Sequence, residues 1–255
     1  MYAEERQQAI ARLVTQRGRV SVNQLAQEYD VTTETVRRDL STLERLGLVR
    51  RVHGGVVPPS SLLLIEAGIR ERDQVNTEVK ERIAKAALER LPQAGGSILL
   101  DAGSTTMRLA SLLPADHALT VVTHAVPIES RLAGLGHIDL RLLPGRVRRT
   151  TQAAVGADTV AALADLRVDV AFLGTNGLTV DFGLTTPDSD EAAVKRAIVA
   201  AGREVVALAD ASKLGVETAN RFASVDELTV VVTDRAISSA DRRALGRAGT
   251  EVVVA

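Results

Sequence analysis

The sequence predicts an α/β protein in two parts: a small helical domain closed by a β-hairpin, then a larger domain built on a parallel sheet. Three observations point there. The first 57 residues contain three short helical patterns followed by a β-prone run with a glycine pair, Gly54-Gly55. Pro58-Pro59-Ser60-Ser61 then interrupts the pattern. From Thr77 onward, helical and short apolar β-prone segments alternate, as in a sheet covered on both faces. The predicted organisation is residues 1–57, a linker over 58–76, and a second domain over 77–255.

Tyr2 to Arg17 carries Ile10, Leu13 and Val14 at helical spacing, and Gly18 supplies a stop. Ser21 is placed to cap a second helix, with Gln24 three residues on as the other half of a capping box. Thr32 caps a third helix, Thr33 to about Leu46, which Gly47 ends. Two short capped helices joined by a tight turn make a helix-turn-helix. In the third helix Val36, Leu40, Leu43 and Leu46 form the expected buried stripe, while Thr33, Thr35, Arg37, Arg38 and Ser41 face away. Arginine donates two hydrogen bonds to guanine in a major groove, and threonine suits a phosphate or a thymine methyl. The alternative is a solvated helix face. Asp39, beside two arginines, is expected to hold arginine side chains or nearby backbone in place. Leu48 to Val57 reads as a two-stranded wing, with Arg50, Arg51 and His53 along the phosphate backbone.

Composition narrows the partners. The 255 residues include 45% hydrophobic ones, enough for a sizeable core, and a formal net charge of -1, so a nucleic-acid site must be a local patch. No apolar run approaches the roughly 20 residues that span a bilayer, and the start lacks the order of a signal peptide, which makes the cytoplasm the expected location and a membrane partner unexpected. With no Cys and four scattered His, no metal site or cofactor is expected. The absence of Trp, with two Tyr and three Phe, argues against a stacking platform for single strands and leaves duplex recognition open.

In the second domain, strands are expected at Ser97 to Leu100, Leu119 to Val122, Ile138 to Leu143, Val168 to Leu173, Glu204 to Leu208, Leu228 to Val232 and Glu251 to Val254. Helices include Lys80 to Leu91, Thr105 to Leu113, Ala153 to Leu166 and Asp190 to Ala201. Ligands of such a sheet bind at the carboxyl ends of its strands. Asp101-Ala102-Gly103-Ser104-Thr105-Thr106 joins a buried strand to a helix, and its hydroxyls and free amides suit a phosphate; the alternative is an ordinary capped turn. In Gly174-Thr175-Asn176-Gly177, Asn176 either meets a sugar hydroxyl or takes a left-handed turn. Thr185 to Arg196 is a third candidate for the effector, with Glu191 and Lys195; because these two are four apart, the alternative is an ordinary surface ion pair on a helix. Lys213, after Asp210, is either a phosphate ligand or a solvated cation. Arg146, Arg148 and Arg149 form a further cationic loop, and Leu62 to Ile65 an apolar patch for a dimer or interdomain contact.

On these motifs the chain resembles the DeoR family of regulators. The N-terminal pattern reads Arg6, Ile10, Val14, Thr32, Thr35-Val36-Arg37-Arg38-Asp39-Leu40 and Arg51-Val52-His53-Gly54-Gly55, and the likeness continues through the loops of the larger domain. The resemblance implies a winged helix-turn-helix that binds double-stranded operator DNA, and a sensor domain similar in fold to ribose-5-phosphate isomerase. It implies an effector pocket of Asp101, Gly103, Ser104, Thr105, Thr106, Gly174, Thr175, Asn176, Gly177, Glu191, Lys195, Asp210 and Lys213, with His124 and Arg148 joining it. Here His124 stands where the family usually has Asn, and Pro144-Gly145 where it has Gly-Gly. Met1 to Arg12, Asp101 to Thr106 and Gly174 to Lys195 look most like actinobacterial members that control fructose uptake and phosphorylation. The implied protein is a homo-oligomeric repressor, dimer or tetramer, relieved by a sugar phosphate such as fructose 1-phosphate. An isomerase-like enzyme with an accessory DNA-binding domain is the other reading.

Overall fold

The computed structural model describes residues 3–17, 20–52, 55–58 and 68–255. His53, Gly54 and the segment 59–67, with the Leu62 to Ile65 patch, lie outside them. The chain divides into two units, Met1–Leu62 and Leu63–Ala255.

The first unit contains α1 (Ala3–Arg17), β1 (Val20–Ser21), α2 (Val22–Glu28), α3 (Thr33–Arg45), β2 (Arg50–Val52) and β3 (Gly55–Val57). Both expected caps form. Ser21 Oγ accepts from the Gln24 amide at 3.1 Å while Gln24 Oε1 accepts from the Ser21 amide at 2.9 Å. Thr32 Oγ1 accepts from the Thr35 amide at 3.2 Å. Gly47, with φ +68°, takes the left-handed conformation that turns the chain out of α3. The core is Ile10, Val14, Val20, Leu25, Val36, Leu40, Leu43, Val49 and Val56. Leu46 does not join it: it stands at the C-cap, beyond the last core residue of the helix, and is 62% exposed. β1, unforeseen, pairs antiparallel with β3 (Val20 with Val56, Ser21 with Gly55), giving a three-stranded sheet in the order β1-β3-β2. A Cβ at Gly55 would stand 2.4 Å from the Val20 carbonyl oxygen, so only glycine fits that crossing.

The second unit runs α4 (Ile69–Gln74), α5 (Thr77–Ala87), β4 (Ser97–Leu100), α6 (Ser104–Ser111), β5 (Leu119–Thr123), α7 (Val126–Leu132), β6 (Ile138–Leu142), β7 (Arg146–Arg148), β8 (Ala153–Val155), α8 (Ala157–Ala164), β9 (Val168–Gly174), β10 (Gly177–Thr179), β11 (Gly183–Thr186), α9 (Ser189–Ala201), β12 (Gly202–Leu208), β13 (Asn220–Ala223), β14 (Val230–Thr233), α10 (Ser239–Arg247) and β15 (Glu251–Val254). Seven strands form one sheet, β15-β14-β12-β9-β4-β5-β6, with every pairing parallel. Alternate residues serve opposite faces, as strand geometry requires. Leu99, Ala171, Leu173, Val205 and Val231 pack with Leu163, Ile198 and Leu245 of α8, α9 and α10. Ile98, Leu100, Phe172, Val206 and Val232 pack with Ile83, Leu109 and Ile128 of α5, α6 and α7.

Three local differences from the sequence reading have clear causes. Ala153 to Val155 do not begin a helix. They form β8 against β7, and Gly156 at φ +108° separates them from α8. α4 lies inside the span read as linker, with Ile69 buried and its amide donating to the Thr150 carbonyl at 2.8 Å. The small antiparallel sheet β10-β11-β13 gives little strand signal in the sequence because its segments are only three or four residues long and the first two begin at glycines, Gly177 and Gly183.

Candidate DNA interface and effector site

Val36, Asp39, Leu40 and Leu43 are the buried residues of α3. At 100° per residue their opposite stripe is Glu34, Arg37, Arg38 and Ser41, spaced i, i+3, i+4 and i+7, and all four are exposed. Thr33 and Thr35 flank the stripe, half-buried. The Thr35 hydroxyl lies 2.9 Å from that of Thr32. The wing meets this face: Arg51 Nη1 donates to Ser41 Oγ at 3.3 Å, and the Arg51 amide donates to Glu44 Oε1 at 3.0 Å. Ser41 Oγ in turn donates to the Arg37 carbonyl at 2.8 Å. Arg50, on the same strand, is half-buried. Ser21 spends its hydroxyl on the helix cap. Asp39 indeed holds an arginine, yet not a neighbour on its own helix. Its partners come from α1, Arg6 Nε donating at 2.6 Å and Gln7 Nε2 at 2.9 Å.

In the larger unit the expected loops converge at the carboxyl ends of β4, β5, β9 and β12. Asp101, just past β4, is fully buried. Its Oδ2 accepts from the Gly174 amide at 2.9 Å and from Lys195 Nζ, and its Oδ1 lies 3.1 Å from His124 Nε2. Burial pushes this carboxyl up, but Lys195 and the His124 hydrogen bond outweigh it and hold the pKa at about 2. His124 Nδ1 is 2.8 Å from the Ala154 carbonyl, an acceptor only, so this nitrogen carries a proton. His124 Nε2 also lies 3.1 Å from the Ala102 amide. With 1% exposure and both ring nitrogens engaged, His124 braces the loop from behind.

Glu191 and Lys195 are not a surface ion pair: both are buried and bound to different partners. Lys195 serves Asp101 and donates to the Gly174 carbonyl at 2.9 Å. Glu191 meets Arg148 Nη1 at 2.5 Å and accepts from Thr151 and Thr186. Arg148 also pairs with Asp188 at 3.2 Å, and Arg146 with Asp190 at 2.8 Å. Thr175 Oγ1 donates to the Gly177 carbonyl at 2.7 Å. Asn176 has no left-handed backbone; its Oδ1 accepts from Thr186 Oγ1 at 3.2 Å. Gly177 is required for packing rather than for a turn, because a Cβ there would meet the Val216 carbonyl oxygen at 2.3 Å.

What remains uncommitted is the start of α6. Gly103 is its N-cap, and the amides of Ser104, Thr105 and Thr106 precede the first helical bond, from Met107 to the Gly103 carbonyl at 3.0 Å. Thr106 Oγ1 bonds back to Gly103, while the Ser104 and Thr105 hydroxyls have no partner among the described residues. Past β12, Asp210 accepts from the Ser212 amide at 3.1 Å and from Asn76 Nδ2 at 3.3 Å. Lys213 has no hydrogen-bond or ion-pair partner for its ammonium group among the described residues. Burial lowers its pKa, against the opposing pull of Asp210.

Lys80 escaped the sequence reading. It is 5% exposed and donates to the carbonyls of Arg72 and Val75, closing the corner between α4 and α5. Burial lowers its pKa to about 8, with Asp210 pulling the other way. The signal was present: Lys80, Ile83, Ala84 and Ala87 share the buried face of α5, a lysine at a core position. Among the described residues no cluster of His, Cys, Asp and Glu could hold a metal, and no helix is long and apolar enough to cross a membrane.

The N-terminal unit matches a DeoR-like helix-turn-helix domain over residues 6–61, and residues 75–235 match a DeoR C terminal sensor domain. Over 99% of its length the chain is 36% identical to the HTH-type transcriptional regulator GlpR of Haloferax volcanii, covering 98% of that protein. It is 31% identical to the glycerol-3-phosphate regulon repressor of Escherichia coli K12, covering 92% of each. Among solved structures, ribose 5-phosphate isomerase A from Methanocaldococcus jannaschii aligns with 55% of each chain at 20% identity and a TM-score of 0.40.

Proposed function

This chain belongs to the DeoR family of transcriptional regulators, and from that premise we propose that it represses a sugar uptake and catabolism operon and is released from DNA by a sugar phosphate, with fructose 1-phosphate the first ligand to try. The observation that carries the effector class is the start of α6. Its free amides and the unpartnered Ser104 and Thr105 hydroxyls suit a phosphate, and Lys213 supplies a cation at the same end of the sheet. The uncommitted Nδ2 of Asn176 is a donor for a sugar hydroxyl. Asp101, His124, Lys195 and Glu191 act as positioning groups: the first three serve one another and the loop backbone, and Glu191 holds Arg148, Thr151 and Thr186. The carboxylates that proton abstraction would need are thus turned inward, which favours binding over turnover.

On the DNA side, Arg37 and Arg38 contact bases while Arg51, Arg50 and the flanking threonines contact the backbone. A repressor reading two half-sites works as a dimer or tetramer in the cytoplasm. Release requires the effector to bind the DNA-incompetent arrangement more tightly than the competent one. Calorimetry of the full chain against fructose 1-phosphate, fructose 6-phosphate, glycerol 3-phosphate and inorganic phosphate tests the effector. Binding that Lys213→Ala and Ser104→Ala abolish is expected, and no heat from any phosphorylated sugar refutes it. Anisotropy with a duplex from the region upstream of the gene tests the rest. Salt-sensitive binding lost in Arg37→Ala/Arg38→Ala is expected.

A further inference from the structure

The outward stripe of α3 contains a carboxylate among its cations. Glu34 lies in the first turn, opposite the buried face, with its side chain 62% exposed. Its nearest charged neighbours are on the same helix, Arg38 Nε at 3.4 Å and Arg37 Nη1 at 3.8 Å. The helix has two other carboxylates: Asp39 is buried against Arg6 and faces away from any duplex, and Glu44, near its C-terminal end, accepts from the Arg51 amide. So Glu34 brings negative charge to the first turn of a surface that must approach phosphates. Such a group weakens binding unless it accepts a hydrogen bond there.

We propose that Glu34 is a specificity-determining residue that reads a cytosine, accepting a hydrogen bond from its N4 amino group in the major groove, next to a guanine taken by Arg37 or Arg38. Four points of geometry and chemistry carry this. Glu34 shares one face with both arginines. The first turn of a recognition helix is the part that reaches base edges. Cytosine offers only a donor on its major-groove edge, whereas adenine places the N7 lone pair beside its amino group, where a carboxylate is repelled. Arg38 Nε stands 3.4 Å from Oε1 and Arg37 Nη1 3.8 Å from Oε2, ion pairs that orient the carboxylate while leaving lone pairs on both oxygens to accept a further hydrogen bond. The inference rests on the operator-binding reading.

The test is selection from a pool of random-sequence duplexes by the full chain, run in parallel for wild type, Glu34→Gln and Glu34→Ala. Anisotropy titrations of the enriched duplex and of versions with each C·G pair changed to T·A follow. Wild type is expected to lose roughly 5-fold to 150-fold in affinity at one C·G pair per half-site. Both variants are expected to bind the two duplexes alike and to enrich motifs degenerate at that position. Variants that enrich the wild-type motif unchanged, binding every duplex more tightly by a common factor, would overturn the assignment and leave Glu34 a mere electrostatic brake. A wild-type chain that enriches no motif overturns the operator reading as well, which keeps the two failures apart. Unchanged melting of the variants excludes misfolding as the cause.

Discussion

Replacing Asp39 with alanine removes the acceptor that Arg6 and Gln7 share and strands the Arg6 guanidinium, whose side chain is 11% exposed, without a counter-charge. Breaking a buried pair from one side costs about 3–5 kcal/mol, because the remaining charge stays desolvated. A domain of some 60 residues has a total stability of about 3–9 kcal/mol. The substitution therefore takes away a large share of what holds the first unit folded. The chain offers a selective probe: it has no Trp, and its two tyrosines, Tyr2 and Tyr29, both lie in that unit. Urea unfolding followed by tyrosine fluorescence should shift to markedly lower denaturant in Asp39→Ala, with DNA binding lost in parallel. The double variant Arg6→Met/Asp39→Leu, which replaces the pair by apolar groups of similar size, should recover most of the loss. A tyrosine transition within about 1 kcal/mol of wild type in Asp39→Ala would refute the reasoning. A double variant as unstable as the single one would show that shape rather than charge is at stake.

Lys195→Met should destabilise the larger unit by about 3–5 kcal/mol, since it leaves Asp101 buried without its cation. In wild type the Asp101 carboxyl sits at about 2 against an ordinary 3.8, so its contribution is complete above pH 3.8 and fades as the pH falls towards 2. In the variant the carboxyl lacks the cation that lowers it, so melting measured against pH should show a smaller loss of stability between pH 3.8 and 2 than in wild type. Lys80, lowered to about 8 from 10.5, gives a slope of the same sign in an alkaline window: the folded state sheds its proton first, so stability should rise as pH climbs from 8 to 10.5. Part of that slope should vanish in Lys80→Met, while Lys213, shifted in the same direction, retains its share. Gly177→Ala forces a methyl group against the Val216 backbone and should lower stability by about 1–3 kcal/mol, read as a drop in melting temperature.

Much of this was readable from the chain because local signals and tertiary demands agree. Ser21 with Gln24, Thr32 with Thr35, and Gly47 set the helices of the first unit where the structure has them, and the seven parallel strands stood out as apolar runs of the expected length. Failures came where a residue answers to something distant in sequence. Glu191 and Lys195 look like a helical pair only until the fold brings Asp101 and Arg148 to them from other elements. β1 exists only because β3 lies alongside it. Glu34 was passed over although its spacing to Arg37, Arg38 and Ser41 was visible, because a carboxylate runs against the expectation of a basic face. The Arg6 partner of Asp39 lies 33 residues away, beyond any local pattern.

Ser21 belongs to two elements at once: it ends β1, opposite Gly55, and its hydroxyl caps α2. The strands of the wing and the helix-turn-helix therefore meet at this residue, beside the contacts that Arg51 makes with Ser41 and Glu44. Fixing the backbone of a loose segment costs about 1–2 kcal/mol for each residue ordered, and a wing attached only through its own hairpin would meet that cost on the duplex. Here β3 is laced to the helix-turn-helix before DNA arrives, so the entropy is lost on folding rather than on association. The contacts proposed above for Arg50 and Arg51 would then add to affinity almost undiminished, and a change at Ser21 should be felt at the wing as a weaker grip even where no atom of Ser21 touches DNA.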